Sequence, residues 1–75
     1  MNKERRKWLH SVIDALEDQK GELESIQEEE QEAYDNMPEG LQEAERGQTI
    51  YENIDTLEST VSDLEDLISN LQELL

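Results

Sequence analysis

Cysteine and phenylalanine are absent from this 75-residue chain, histidine, tryptophan and proline occur once each, and glycine three times. Without cysteine there is neither a disulfide framework nor a thiolate metal site, which fits a reducing compartment. One Trp and two Tyr are too few to line a roomy pocket, and this length allows one small domain at most. No apolar run approaches the ~18 residues needed to cross a bilayer. The segment that follows the basic N-terminus, WLHSVIDALED, mixes acids with its apolar residues, which argues against a cleaved signal peptide. The expectation is a soluble, cytoplasmic protein.

Chemistry-bearing constellations are equally scarce. The single His10 has no cysteine to pair with, and no serine sits in a Gly-x-Ser-x-Gly setting. Lys7, not a glutamate, lies three residues before His10, so the Glu-x-x-His pairs of ferritin-like bundles are missing. Gly21, Gly40 and Gly47 are too dispersed to cradle a phosphate. In the segment DNMPEG, Met37 falls where a calcium loop needs its second oxygen ligand. The sequence reads as no enzyme, with no cofactor and no metal.

What the chain does have is acid and a register. It carries 21 Asp and Glu against 6 Lys and Arg, a formal charge of -15. Such a balance with few aromatics also describes disordered tails, but periodicity decides otherwise. Ile50, Ile54, Leu57, Val61, Leu64, Ile68, Leu71 and Leu75 follow one another in alternating steps of four and three. That is the heptad seam of a helix packed lengthwise on others. Leu67 and Leu74 widen the stripe, so the helix is expected to touch more than one neighbour.

The first half repeats the pattern more weakly, through Leu9, Val12, Leu16, Gln19, Leu23, Ile26, Glu30, Ala33 and Met37, with Ile13 and Tyr34 beside it. Gln19 and Glu30 are polar seam positions, which read either as a wet edge that fixes register or, for Glu30, as part of an interior polar site. Between the halves, Asn36, Pro38 and Gly40 cluster where the heptad lapses, and proline cannot continue a helix. The expected organisation is a basic arm at 1–7, a helix at 8–35, a turn at 36–42 capped by Asp35 or Asn36, and a helix at 43–75. This is an all-α fold, an antiparallel helical hairpin with a heptad seam. One hairpin leaves apolar surface uncovered, so a homodimeric four-helix bundle or coiled coil is expected. Its seam would use Leu16, Leu23, Ile26, Ile54, Leu57, Val61, Leu64, Ile68 and Leu71. Pairing gathers like charge, so stability should rise with salt and in mild acid.

Charge is uneven along the chain. Lys3, Arg5, Arg6 and Lys7 precede Trp8, and beyond them only Lys20 and Arg46 are basic. Four cations beside this excess of carboxylates do not make a positive face for DNA or RNA, so no direct nucleic-acid binding is expected. The acids instead line the helices away from the seam: Glu17, Asp18, Glu22, Glu24, Glu28, Glu29 and Glu32 on the first, Glu52, Asp55, Glu58, Asp63, Glu65, Asp66 and Glu73 on the second, the ten up to Glu58 forming the expected partner face. Neighbours three or four apart on a helix lie ~5–6 Å from each other, which makes rows of negative points comparable to a phosphate strand. The excess also exceeds the magnitude of ~2–8 that keeps a small domain soluble. The expected partner is a basic nucleic-acid-binding protein, reached by electrostatic steering.

A second candidate region is the tip. Gly47 occupies a seam position where packing alone favours Ala or Leu, and it would let a backbone, a ligand or a partner side chain come close. Tyr34, Met37, Leu41, Arg46 and Tyr51 would surround a cleft there. In it a nucleotide could stack on tyrosine, with Arg46 on its phosphate.

The segment EEEQEAYDNMPEGLQEAERGQ, followed by YENIDTLESTVSDLEDLI, resembles small acidic helical proteins of bacteriophages and prophages of Gram-positive bacteria. These carry a similar Asn-x-Pro-Glu-x-Leu-Gln stretch, then Glu-Arg-Gly and an acidic heptad helix. The likeness spans about residues 23–72 and implies a phage setting, with the host cytoplasm as location. Small phage proteins of this kind resemble counter-defence inhibitors of the anti-restriction and anti-CRISPR type, some of which are nucleic-acid mimics. The leading expectation is such an inhibitor, occupying the basic nucleic-acid surface of a host protein. The alternatives are a sponge for a nucleotide immune signal and a structural coiled-coil assembly module.

Overall fold

The computed structural model describes all 75 residues, Met1–Leu75. The chain is helical throughout, with α1 at Lys3–Asp35, α2 at Glu39–Gln42 and α3 at Glu45–Gln72. Together they form a rod of 58 × 15 × 12 Å. No helix is long and apolar enough to cross a membrane.

The basic segment is not a separate arm: α1 already begins at Lys3. Asn2 is the reason, because its Oδ1 accepts from the Arg5 backbone N–H at 2.8 Å and satisfies one of the orphan donors of the first turn. Cations beside a helix N-terminus oppose its dipole, yet Lys, Arg and Glu are good helix formers, and the cap holds them in the helix.

At the far end Asn36 N–H bonds the Glu32 carbonyl at 2.9 Å, and Met37 N–H bonds that of Tyr34 at 3.1 Å. Pro38, at φ -55° and ψ 145°, then stops the helix. Its carbonyl starts α2 by accepting from Leu41 N–H at 2.8 Å and Gln42 N–H at 3.1 Å. The side-chain cap expected from Asp35 or Asn36 is not formed. Asp35 instead accepts from Gln31 Nε2 at 3.0 Å, and Asn36 closes α1 through its backbone. Ala44, extended at φ -78° and ψ 168°, separates α2 from α3, so the second long helix starts at Glu45 rather than Glu43.

Gly47 makes this corner possible. Its φ is not positive, so conformational freedom is not its role. A Cβ here would lie 2.5 Å from the Leu41 carbonyl oxygen and from Gln42 Cα, and closer still to the Gln42 oxygen. The close approach read from the sequence is therefore made by the chain's own backbone: the first turn of α3 presses on α2.

Beyond the corner α1 and α3 run side by side in opposite directions. The Tyr34 and Tyr51 rings meet near the tip, and Lys20 reaches Glu65 farther along. The inward row of α3 is Gly47, Ile50, Ile54, Leu57, Val61, Leu64, Ile68 and Leu71, all buried or half-buried. That of α1 is Leu9, Ile13, Leu16, Lys20, Leu23, Gln27, Glu30, Tyr34 and Met37. Half of the α1 expectation is thus displaced by one residue. Ile13, Lys20, Gln27 and Tyr34 turn inward, while Val12, Gln19, Ile26 and Ala33 are exposed. Both rows keep the three-four alternation. Lys20 fits inside because its stem lies along the seam while its Nζ reaches Glu65 Oε1 at 3.5 Å.

The seam assigned to an oligomer is occupied within one chain. Ile54, Val61 and Ile68 are buried, and Leu16, Leu23, Leu57, Leu64 and Leu71 are half-buried, in the contact between α1 and α3. Of that set Ile26 alone is exposed.

The two helical glycines should respond oppositely to alanine. Gly47→Ala overpacks the corner and should cost about 1–3 kcal/mol. Gly21, with open space around its Cβ position, should gain roughly 0.5–1 kcal/mol as Gly21→Ala. Urea unfolding followed by circular dichroism measures both.

Candidate functional site

The rod has two unlike flanks. On one, the positions just before the inward row are Val12, Gln19, Ile26 and Ala33 on α1, and Asn53, Thr60 and Leu67 on α3, with Leu74 continuing the seven-residue spacing past the end of α3. None of these carries a charge. Ile26 and Asn53 line one groove with Leu57, which puts the two sets on the same side. On the other flank the corresponding positions are Glu17, Glu24 and Gln31 against Tyr51, Glu58, Glu65 and Gln72.

All ten carboxylates read as a partner face are exposed: Glu17, Asp18, Glu22, Glu24, Glu28, Glu29, Glu32, Glu52, Asp55 and Glu58. They do not share one side. Glu22 lies four residues before Ile26 and Glu29 three after it, so both border the uncharged flank. The others turn toward the carboxylate flank or outward. Two shallow grooves mark that acidic surface. One of about 280 Å³ lies between Glu24, Gln27, Glu28 and Gln31, and one of about 370 Å³ between Asp55, Glu58, Ser59, Ser62 and Asp63. Lys20–Glu65 is the one ion pair in the molecule, so the remaining carboxylates, all exposed except Glu30, have no cationic partner.

The tip residues divide into separate places. Tyr34 and Tyr51, with ring centroids 5.9 Å apart and planes at 55°, join Gln42, Gln48 and Glu52 around an open cleft of about 330 Å³. Arg46 lies five residues before Tyr51, about 140° away around the helix. It opens on a different cleft with Glu30, Ala44, Glu45, Thr49, Ile50 and Asn53. Met37 is half-buried in the seam, Leu41 is exposed, and Gly47 is covered by α2. Tyrosine and arginine are therefore not brought to one ligand. Arg46 makes no ion pair. Glu30 is half-buried and lines two clefts on the Arg46 side without a bond to it. No group of three or more His, Asp or Glu side chains is arranged to hold a metal ion.

Gln42 was passed over in the sequence. It is the one half-buried residue outside the two inward rows, and its Nε2 donates to the Tyr34 carbonyl at 2.8 Å, tying α2 to the end of α1. A glutamine inside an acidic turn gives no periodic signal; its role follows from where Pro38 aims α2.

Compared with known proteins, the chain matches no family model, no curated protein and no solved structure.

Two stability measurements follow. Gln42→Ala removes the tie to Tyr34 and should cost about 1 kcal/mol. Raising sodium chloride should move the urea midpoint of the wild type upward, because screening relieves repulsion among carboxylates that have one cationic partner between them. A midpoint that falls with salt would refute the repulsion.

Proposed function

We propose that this protein is a small acidic interaction protein of the phage counter-defence type. In this reading it covers the basic nucleic-acid-binding surface of a host protein by mimicking a phosphate backbone. Its working unit is the antiparallel hairpin of α1 and α3, paired into a homodimeric four-helix bundle in the host cytoplasm. It is not an enzyme. The observation that carries the reading is the sidedness of the charge. A protein that needed acid only for solubility would gain nothing from keeping one flank free of it. Here the flank row itself holds no carboxylate, Glu22, Glu29 and Asp63 stand at its border, and the other acids lie on the opposite flank and the outer surface, almost without cations. On a rod 58 Å long such rows can lie in a groove built for a nucleic-acid strand. Associations of this kind form fast and weaken steeply with salt.

The nucleotide-sponge reading loses ground on the divided tip, since stacking and phosphate contacts would have to come from different clefts. The assembly-module reading is favoured by the exposed apolar side chains of the uncharged flank, and these are compatible with mimicry on the opposite flank.

Capture of partners from nuclease-treated host lysate at low salt tests the function. The expected product is a basic nucleic-acid-binding protein that salt elutes. Charge reversal of Glu24, Glu28 and Glu58 to Lys should abolish capture with helicity retained, whereas reversal of Glu22 and Glu29 should weaken it less. Equal effects from the two sets would count against a one-sided mimic, and capture that persists in the first set would end the proposal.

A further inference from the structure

Nine large apolar side chains are exposed, and four of them fall on one line. Val12, Ile26, Leu67 and Leu74 are 40%, 46%, 47% and 53% exposed; the first three each stand one residue before an inward position on the uncharged flank, and Leu74 follows Leu67 by seven residues just past the end of α3. Trp8, 72% exposed, lies four residues before Val12 and extends the line toward the open end of the rod. The row therefore repeats every seven residues, at Val12, Gln19 and Ile26 on α1 and at Thr60 and Leu67 on α3, with Leu74 in the turn just past its end. Arg5 and Arg46 continue it at the two ends in the same register.

We propose that this flank is the face on which a second copy of the chain docks, open end to open end, with α1 of each copy on α3 of the other. Three observations select a copy of the chain as the occupant. A basic partner would gain more from the carboxylate flank, so the uncharged flank rewards an apolar surface. For a body of net charge -15, this is also the side on which two copies approach with the fewest opposed carboxylates. The same flank of a second copy has the matching length and the matching seven-residue spacing, as the facing rows of a four-helix bundle require. A strip 58 Å long and 15 Å across offers on the order of 800 Å² per copy, the size of a stable interface.

Orientation follows from where the leucines lie. The pairing of Lys20 with Glu65 and of Tyr34 with Tyr51 puts Val12 level with the stretch between Leu67 and Leu74. With open ends together, Val12 of one copy inserts between Leu67 and Leu74 of the other. Ile26 then faces Asn53 and Thr60. A head-to-tail arrangement would spend the two leucines on the polar half of the row.

The inference rests on the hairpin being half of a four-helix bundle, and its test involves no basic partner, so it stands or falls apart from the mimicry. Sedimentation equilibrium of the full chain at micromolar concentration should give twice 8.8 kDa. Leu67→Glu should raise the dimer dissociation constant at least about 30-fold, and Glu58→Gln should leave the dimer intact. Because the chain has no cysteine, introduced thiols report contact directly. A mixture of Val12→Cys and Leu74→Cys chains should oxidise mainly to the mixed disulfide, a readout that does not depend on Leu67→Glu folding. A wild-type monomer would overturn the proposal. So would a Leu67→Glu dimer of unchanged affinity, or Glu24→Cys chains mixed with Glu58→Cys chains cross-linking as readily as the first pair.

Discussion

Ile13, Ile54, Val61 and Ile68 are the buried apolar side chains of this chain, and they lie on one line between α1 and α3. Two helices in contact share a single seam, and burial along it has to oppose the ordering of 75 residues. Much of the remaining form follows from keeping that seam in register. Pro38 stops α1, α2 makes one turn, and Gly47 lets α3 start against the α2 backbone, so that Ile50 and Ile54 return along the face that α1 presents. The seam also thins toward the tip, where α1 contributes Gln27 and Glu30 opposite aliphatic residues of α3. Gln42 is placed to reinforce this weaker half by bonding the last turn of α1.

How much of this was legible depended on whether a residue had a rival. Over Ile54 and Val61 the α3 seam had none, because the positions before and after them are polar; Leu67 beside Ile68 is a single rival and does not extend to a second row. In α1 two rows one residue apart satisfy the same alternation. Val12 competes with Ile13, Gln19 with Lys20, Ile26 with Gln27, and Ala33 with Tyr34. Choosing by hydrophobicity alone selects Ile26 over Gln27 and neutral Gln19 over charged Lys20, which is the wrong row. The deciding contacts are tertiary: the Tyr34 ring on Tyr51 and the reach of Lys20 to Glu65, neither of which periodicity along one helix contains. Asn2 before a run of good helix formers was a readable cap, but the positive charge of the segment obscured it.

That one-residue shift changes the meaning of the surface. In the expected register Val12 and Ile26 belong to the core, and the apolar surface left over is Leu67 and Leu74 on the second helix with Ile13 beside the seam of the first. In the observed register they stand outside, in line with Leu67 and Leu74, and the rod acquires an apolar side as well as an acidic one. The carboxylates were legible as a class, since composition alone reveals them. Their division between flanks was not, because Glu22 and Glu29 change neighbourhood when the row moves by one position. The tip shows the same dependence: five residues between Arg46 and Tyr51 look close in sequence but open on opposite sides of the helix.

The two proposed surfaces constrain each other. Carboxylates close to an apolar interface would repel their counterparts across it, so a self-pairing acidic rod must clear one flank of charge and crowd it onto the other. Crowding in turn strengthens the field at the acidic flank and makes it a better substitute for a phosphate strand. A twofold arrangement through the uncharged flanks directs the two carboxylate flanks outward on opposite sides of the bundle. In the proposed assembly each copy would keep its acidic flank uncovered, and the bundle would offer two such flanks to basic partners. Apart from Glu22, Glu29 and Asp63 at the border, the charge that destabilises a lone rod would lie away from the proposed contact, where solvent and salt screen it best.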